Sequence, residues 1–176
     1  MRCLFCARRR ELNKEENKNM AIRQILQFGE ETLRKRSRDV ASISERIVTL
    51  VEDMKETMVD ANGVGLAAPQ VGILRRIIVL DLEDIGVVEL INPVITKTSG
   101  HQEDVEGCLS YPGEYGITKR PMNVTVVGQN IEGKNVSYSV SGLSARAVCH
   151  EVDHLDGKLF IDCAIRMLGD EEKEAK

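Results

Sequence analysis

Apolar side chains at Ile47, Val48, Val51, Met54 and Met58 recur every three or four residues, the spacing of one face of an α-helix. Ser42 or Ser44 stands where a cap is expected, Glu45 suits the first turn, and Asn62-Gly63 ends the helix just after Ala61. The run 75–82 (Arg-Arg-Ile-Ile-Val-Leu-Asp-Leu) is β-branched and short, so it reads as a strand. Residues 87–98, 122–128 and 134–141 read the same way, with a turn at 130–134 that carries Gly133. Residues 30–40 are charged and predicted helical. Residues 142–160 predict a second long helix, with Leu143, Ala147, His150, His154 and Leu155 along one side. Helix, strands, then helix, without an internal repeat, predicts an α+β fold. Mainly antiparallel strands would pack around a long C-terminal helix.

Composition narrows the function. The chain has 176 residues, the length of one domain. It carries 24 Lys+Arg against 28 Asp+Glu, a net charge of -4, so no basic face for nucleic acid is predicted. Aromatic residues make up 3 % and Trp is absent, which argues against a stacking platform for bases. No apolar run reaches the ~20 residues of a membrane span. The five cysteines, Cys3, Cys6, Cys108, Cys149 and Cys163, are odd in number and unevenly spread, unlike a disulfide framework. These features place the chain in the cytoplasm, where the sequons at Asn123 and Asn135 carry no meaning.

Residues 1–19 stand apart. Cys3-Leu4-Phe5-Cys6 precedes Arg8-Arg9-Arg10 and a polar stretch. The segment is short, lacks Ser and carries Glu11, Glu15 and Glu16, unlike a targeting peptide, and its Cys-x-x-Cys lacks a second pair nearby. It is read as a frayed extension or an early start, with Met20 as the true beginning. Residues 20–169 are then expected to form one compact domain and 170–176 a charged, solvated tail.

The strongest chemical signal is Cys149-His150-Glu151-Val152-Asp153-His154. Positions i and i+4 share a helix face, so two imidazoles can grip one metal ion, and the carboxylate of Glu151 can reach water beside it. A catalytic metal of this kind wants a third protein ligand. Downstream candidates are Asp156 and Asp162, with Glu171, Glu172 and Glu174 in the tail; upstream candidates are His101 and Cys108. His101 lies in what reads as a solvated loop.

Cys108 sits in Glu106-Gly107-Cys108-Leu109-Ser110. It can serve as a metal ligand, a nucleophile, or a small buried apolar residue. A third segment, Gly63-Val64-Gly65-Leu66-Ala67-Ala68-Pro69-Gln70, begins like a dinucleotide-binding fingerprint, with Asp81 at the spacing of a ribose partner. It follows a helix rather than a strand, however, and Pro69 and Gly72 leave no room for the helix that fingerprint needs. Extended backbone beside a ligand, with the Gln70 amide as a donor, suits it better.

In this order and with these separations, 63–70, 106–110 and 150–154 resemble the peptide deformylase family. The resemblance runs from Met20 to about Gly169 and leaves out the first residues. It implies a metallohydrolase that removes the formyl group from N-formylmethionyl nascent peptides and releases formate. It implies Cys108, His150 and His154 as metal ligands, with Glu151 as general base and then acid acting with a metal-held hydroxide. The Gln70 side chain and the Leu109 backbone N–H would hold the oxyanion. Gly65 would pair with substrate backbone, while Val64, Leu143 and Ala147 would line the methionine pocket. The implied metal is Fe2+, with Zn2+, Ni2+ or Co2+ as substitutes. The implied partners are nascent chains and the ribosome near its exit, met through a patch such as Arg34 to Arg38.

Two departures from the family pattern stand out. Cys149 occupies the place of a usual Gln, and its thiol cannot copy an amide's hydrogen bonds. No Arg follows in Tyr111-Pro112-Gly113-Glu114-Tyr115-Gly116, where some members place one. Two rivals share the helix motif: a zinc endopeptidase with a downstream ligand, and a closed structural metal site completed by Cys149 or Cys163.

Overall fold

A computed structural model describes residues 21–83 and 85–174. The reading of residues 1–19 lies outside these. Helix α1 spans Glu45–Asp60, with Ser44 at its N-cap and Ala61 at its C-cap. It ends as expected: Asn62 takes a left-handed φ of 55°, and the Gly63 N–H returns to the Met58 carbonyl. Strands β1 (Gly65–Ala67), β2 (Ile77–Leu82) and β3 (Gly86–Ser99) follow. Next come β4 (Gln102–Cys108), β5 (Tyr111–Arg120), β6 (Asn123–Gln129) and β7 (Asn135–Ser141). Helix α2 (Gly142–Leu155), strand β8 (Ala164–Met167) and the short α3 (Asp170–Glu174) complete the chain.

All strand pairs are antiparallel. One sheet has the order β1-β2-β3-β6-β7, the other β4-β5-β8. The unbroken apolar run of β2 is explained by its place between two helices. Ile78, Leu80 and Leu82 join the cluster that holds Ala145, Ala147 and Val148 of α2. Ile77 and Val79 join the cluster that holds Val51, Met54 and Met58 of α1. Alternate side chains leave a strand on opposite faces, so both faces of this one are dry. The fold is α+β, with antiparallel strands around the C-terminal motif helix, as the pattern predicts.

Three local expectations are corrected. Residues 30–40 are not a helix; only Glu31–Arg34 makes a 3-10 turn. Their backbone bonds go elsewhere, with Ser37 N–H donating to the Leu155 carbonyl and Val40 exchanging hydrogen bonds with the Asn92 amide. Helix α2 stops at Leu155, short of Phe160. Gly157 has φ +73° and a Cβ there would strike the Arg34 carbonyl, while Lys158 N–H reaches back to Asp153, so the chain turns at this point. The loop expected around His101 is short, because β4 begins at Gln102; His101 itself is exposed.

Candidate metal and catalytic site

Helix α2 supplies two of the site's potential donors from one face. His150 and His154 are both buried, and their Nε2 atoms lie 3.1 Å apart. Cys108 closes the group from the end of β4, its Sγ 3.2 Å from His154 Nε2. The register between β4 and β5 shifts between Gly107 and Cys108, an irregularity that re-aims the side chain where the two strands turn. Gly107 admits Tyr115 there, since a Cβ would come within 2.8 Å of the ring. The three donor atoms lie within 4.8 Å of one another. Among the described residues, these three form the one such cluster of His, Cys, Asp or Glu.

The donor set fits a borderline or soft divalent ion. His150 Nδ1–H donates to the Glu106 carboxylate at 2.6 Å, which turns Nε2 toward the other two donor atoms. His154 Nδ1 is buried with no partner. The two nearest downstream acids are committed elsewhere, Asp156 to Arg76 and Asp162 to Arg34 and the Leu159 N–H. Cys149 sits in the apolar cluster, and burial pushes its thiol up to about 11. Cys163 donates to the Phe160 carbonyl.

Glu151 follows His150 directly and is 3 % exposed. Its Oε2 has no hydrogen-bond partner. Burial raises its pKa to about 7; Glu106 adds to the shift, while His150 and Arg120 oppose it. Burial also works against a charge on either histidine. His150 is nevertheless raised well above its ordinary value by Cys108 and Glu106, whereas His154 is held well below.

Gln70 follows β1 in a one-turn 3-10 helix, Ala68–Val71. Its Oε1 accepts the Ala67 N–H at 2.8 Å, which turns the amide NH2 toward Ser110 Oγ at 3.1 Å and Cys108 Sγ at 3.5 Å. Gly65, on β1, lies directly against the Glu151 side chain. Val64, Leu143 and Ala147 share the apolar cluster under α2. Leu109 is half-buried, and its side chain packs on the α1 side instead.

Sequence reasoning did not assign a role to Glu106. It is fully buried and bonded by His150, Thr118 and both Nε and Nη2 of Arg120. Arg120 also holds Asp153. These partners outweigh the burial that opposes ionisation and keep the Glu106 carboxyl well below its usual range. The acid stands two residues from Cys108 in Glu106-Gly107-Cys108, but the strand and the register shift that place them are not legible locally.

A buried Cys/His/His cluster on an antiparallel α+β frame, with a carboxyl of raised pKa next to a ligand, defines a metallohydrolase type of site. The sequence profile of the polypeptide deformylase family matches residues 22–168, and the chain belongs to that family. The peptide deformylase of Acetivibrio thermocellus is 53 % identical over 157 residues, covering 89 % of this chain and 92 % of that one. The peptide deformylase of Alkaliphilus metalliredigens is 56 % identical over 147 residues, 84 % of this chain and 99 % of the other. The crystal structure of peptide deformylase from Thermotoga maritima superposes with a TM-score of 0.79 at 40 % identity, covering 82 % of this chain and 98 % of that one. The chain is thus a hydrolase of a metal-dependent family that removes N-formyl groups from polypeptides.

Proposed function

We propose that the chain carries out this deformylation with one divalent cation held by Cys108, His150 and His154, on formylmethionine at the start of nascent polypeptides. The observation that carries the reading is the convergence of those three buried donors beside the Glu151 carboxyl. Such a cation supplies Lewis acidity, enough to bring the ionisation of water near neutral pH. Glu151 takes the proton of the attacking water and later delivers it to the leaving amine, releasing formate. A carboxyl that titrates near neutrality suits both roles.

The Gln70 amide and the Leu109 backbone N–H hold the developing oxyanion. Gly65 pairs with the substrate backbone along β1, an outer strand of its sheet. Val64, Leu143 and Ala147 line the pocket for the methionine side chain. Thiolate and imidazole donors suit Zn2+ and Fe2+ alike; the family resemblance points to Fe2+ as the native ion, with Zn2+, Ni2+ or Co2+ as substitutes. The enzyme works in the cytoplasm and meets nascent chains at the ribosomal exit through Arg34 to Arg38. Charge reversal there should abolish co-sedimentation with ribosomes and spare activity on a free peptide.

The deciding experiment is anaerobic metal analysis with formate release from a formyl-Met peptide, for wild type and Glu151→Gln. One metal per chain in both, with activity in wild type alone, supports the proposal. Bound metal without formate release from wild type overturns it.

A further inference from the structure

Arg146 stands one helical turn before His150 on α2, and at 1 % exposure it heads the largest fully buried side chains. Its Nη1 donates to Thr118 Oγ1 at 2.7 Å and to the Asp104 carbonyl at 3.0 Å. Thr118 is fully buried and donates its hydroxyl to Glu106 Oε2 at 2.6 Å. Glu106 Oε1 in turn accepts the Nδ1 proton of His150. The contacts close a ring: α2 to β5 through Arg146 and Thr118, β5 to β4 through Glu106, and β4 back to α2 at His150.

The ring has a fixed direction. A threonine hydroxyl can donate or accept, and its proton can rotate. Arg146 can only donate, so it occupies a lone pair of Thr118 and leaves that proton for Glu106. Arg120 grips the same carboxylate from a second side, through Nε at 3.1 Å and Nη2 at 2.7 Å. Arg146 also forms a direct ion pair with Glu106 at 3.6 Å, longer than the 2.7 and 2.6 Å hydrogen bonds that link the two through Thr118.

Stability is a poor reason for this arginine. Its Nη2 is buried without a partner, and burial lowers its pKa. A methionine would fill similar space without a guanidinium to desolvate.

We propose that Arg146 is a positioning residue for the metal ligand His150, acting through Thr118 to set the carboxylate of Glu106. The proposal rests on the ligand set described under Proposed function. Partners of this kind keep the ligating imidazole in one tautomer and one ring orientation.

The test uses the full chain loaded with Co2+, with Arg146→Met, Thr118→Val, the double variant and Arg146→Lys. The readouts are the rate of Co2+ release to a chelator, the visible absorption of the bound ion, and the unfolding temperature of the metal-free protein. Each of Arg146→Met and Thr118→Val is expected to speed release by about 10- to 100-fold and to shift the cobalt bands. The double variant should release no faster than the worse single variant, because both break one chain of contacts. Arg146→Lys, which keeps a donor, should recover part of the loss.

Release unchanged in Thr118→Val, or multiplicative effects in the double variant, would overturn the proposal, as would a lower unfolding temperature with unchanged release. If Arg146→Met does not fold, Thr118→Val and Arg146→Lys decide alone. Wild type and Cys108→Ala serve as controls. Equal Co2+ retention by those two would instead defeat the ligand assignment beneath the proposal.

Discussion

Glu151 lies against the bare backbone of Gly65: a Cβ at position 65 would come within 2.8 Å of both Cγ and Cδ of the glutamate. Real Cβ atoms do not approach so closely, so one of the two must move. Gly65→Ala should therefore lower kcat/KM by roughly 100-fold, the cost of about 1 Å of misplacement in a catalytic group. Metal content should stay at the wild-type level. Formate-release kinetics beside metal analysis check both halves.

Cys108→Ala removes the proposed ligand that β4 supplies and leaves the two histidines of α2. Metal stoichiometry in the purified variant should collapse. An endopeptidase with a downstream ligand would keep its ion, but Asp156 and Asp162 are already paired with arginines. Elemental analysis after dialysis distinguishes the two outcomes.

Cys149 packs with Ala67, Val126 and Val148 rather than toward the cluster of donors. Cys149→Ala should keep one metal per chain and full formate release, at a stability cost of about 1 kcal/mol. Denaturant unfolding with metal analysis tests this. Loss of metal would restore Cys149 as a ligand and favour the closed structural site.

Glu106→Ala would leave the buried Arg120 without its main partner and His150 without an acceptor. Losing one member of a buried ion pair costs about 3–5 kcal/mol. Equilibrium urea unfolding of the metal-free variant beside metal-free wild type should show a loss of that size.

Glu89 and Lys55 offer a pH test away from the site. Lys55 Nζ lies 2.9 Å from Glu89 Oε2, and the Ile131 N–H donates to the same carboxylate. Burial opposes ionisation of Glu89, but these partners prevail and lower its pKa below 4.5. The folded state thus gains stability from the ionised acid above that value and loses it as pH falls through the lower, folded value. Wild type should exceed Glu89→Gln in urea-unfolding stability at pH 7. The two curves should converge as pH drops below 4.5.

Much of this was legible in the chain itself. The apolar spacing from Ile47 to Met58 marks α1 because local periodicity is enough to bury one helix face. The dry run of β2 and the turn at Gly133 are equally local. The i, i+4 pair His150 and His154 specifies a shared helix face without any partner, and three ordered motifs point to one family. Residues 30–40 misled for the opposite reason. Their charge suits a helix, but the Ser37 and Val40 backbones are satisfied by the Leu155 carbonyl and the Asn92 side-chain amide, distant in sequence.

The strands β4 and β5 were missed because their side chains face polar partners, so hydrophobic alternation is weak. The choice of Cys108 over His101 or Asp156 as third donor belongs to the hairpin that carries it to α2. The ring from Arg146 through Thr118 and Glu106 to His150 joins three elements at separations no local pattern records. Local propensity, periodicity and motif order are properties of the sequence alone. Which buried charges meet, and which proton each one fixes, is decided only when the two sheets close on α2.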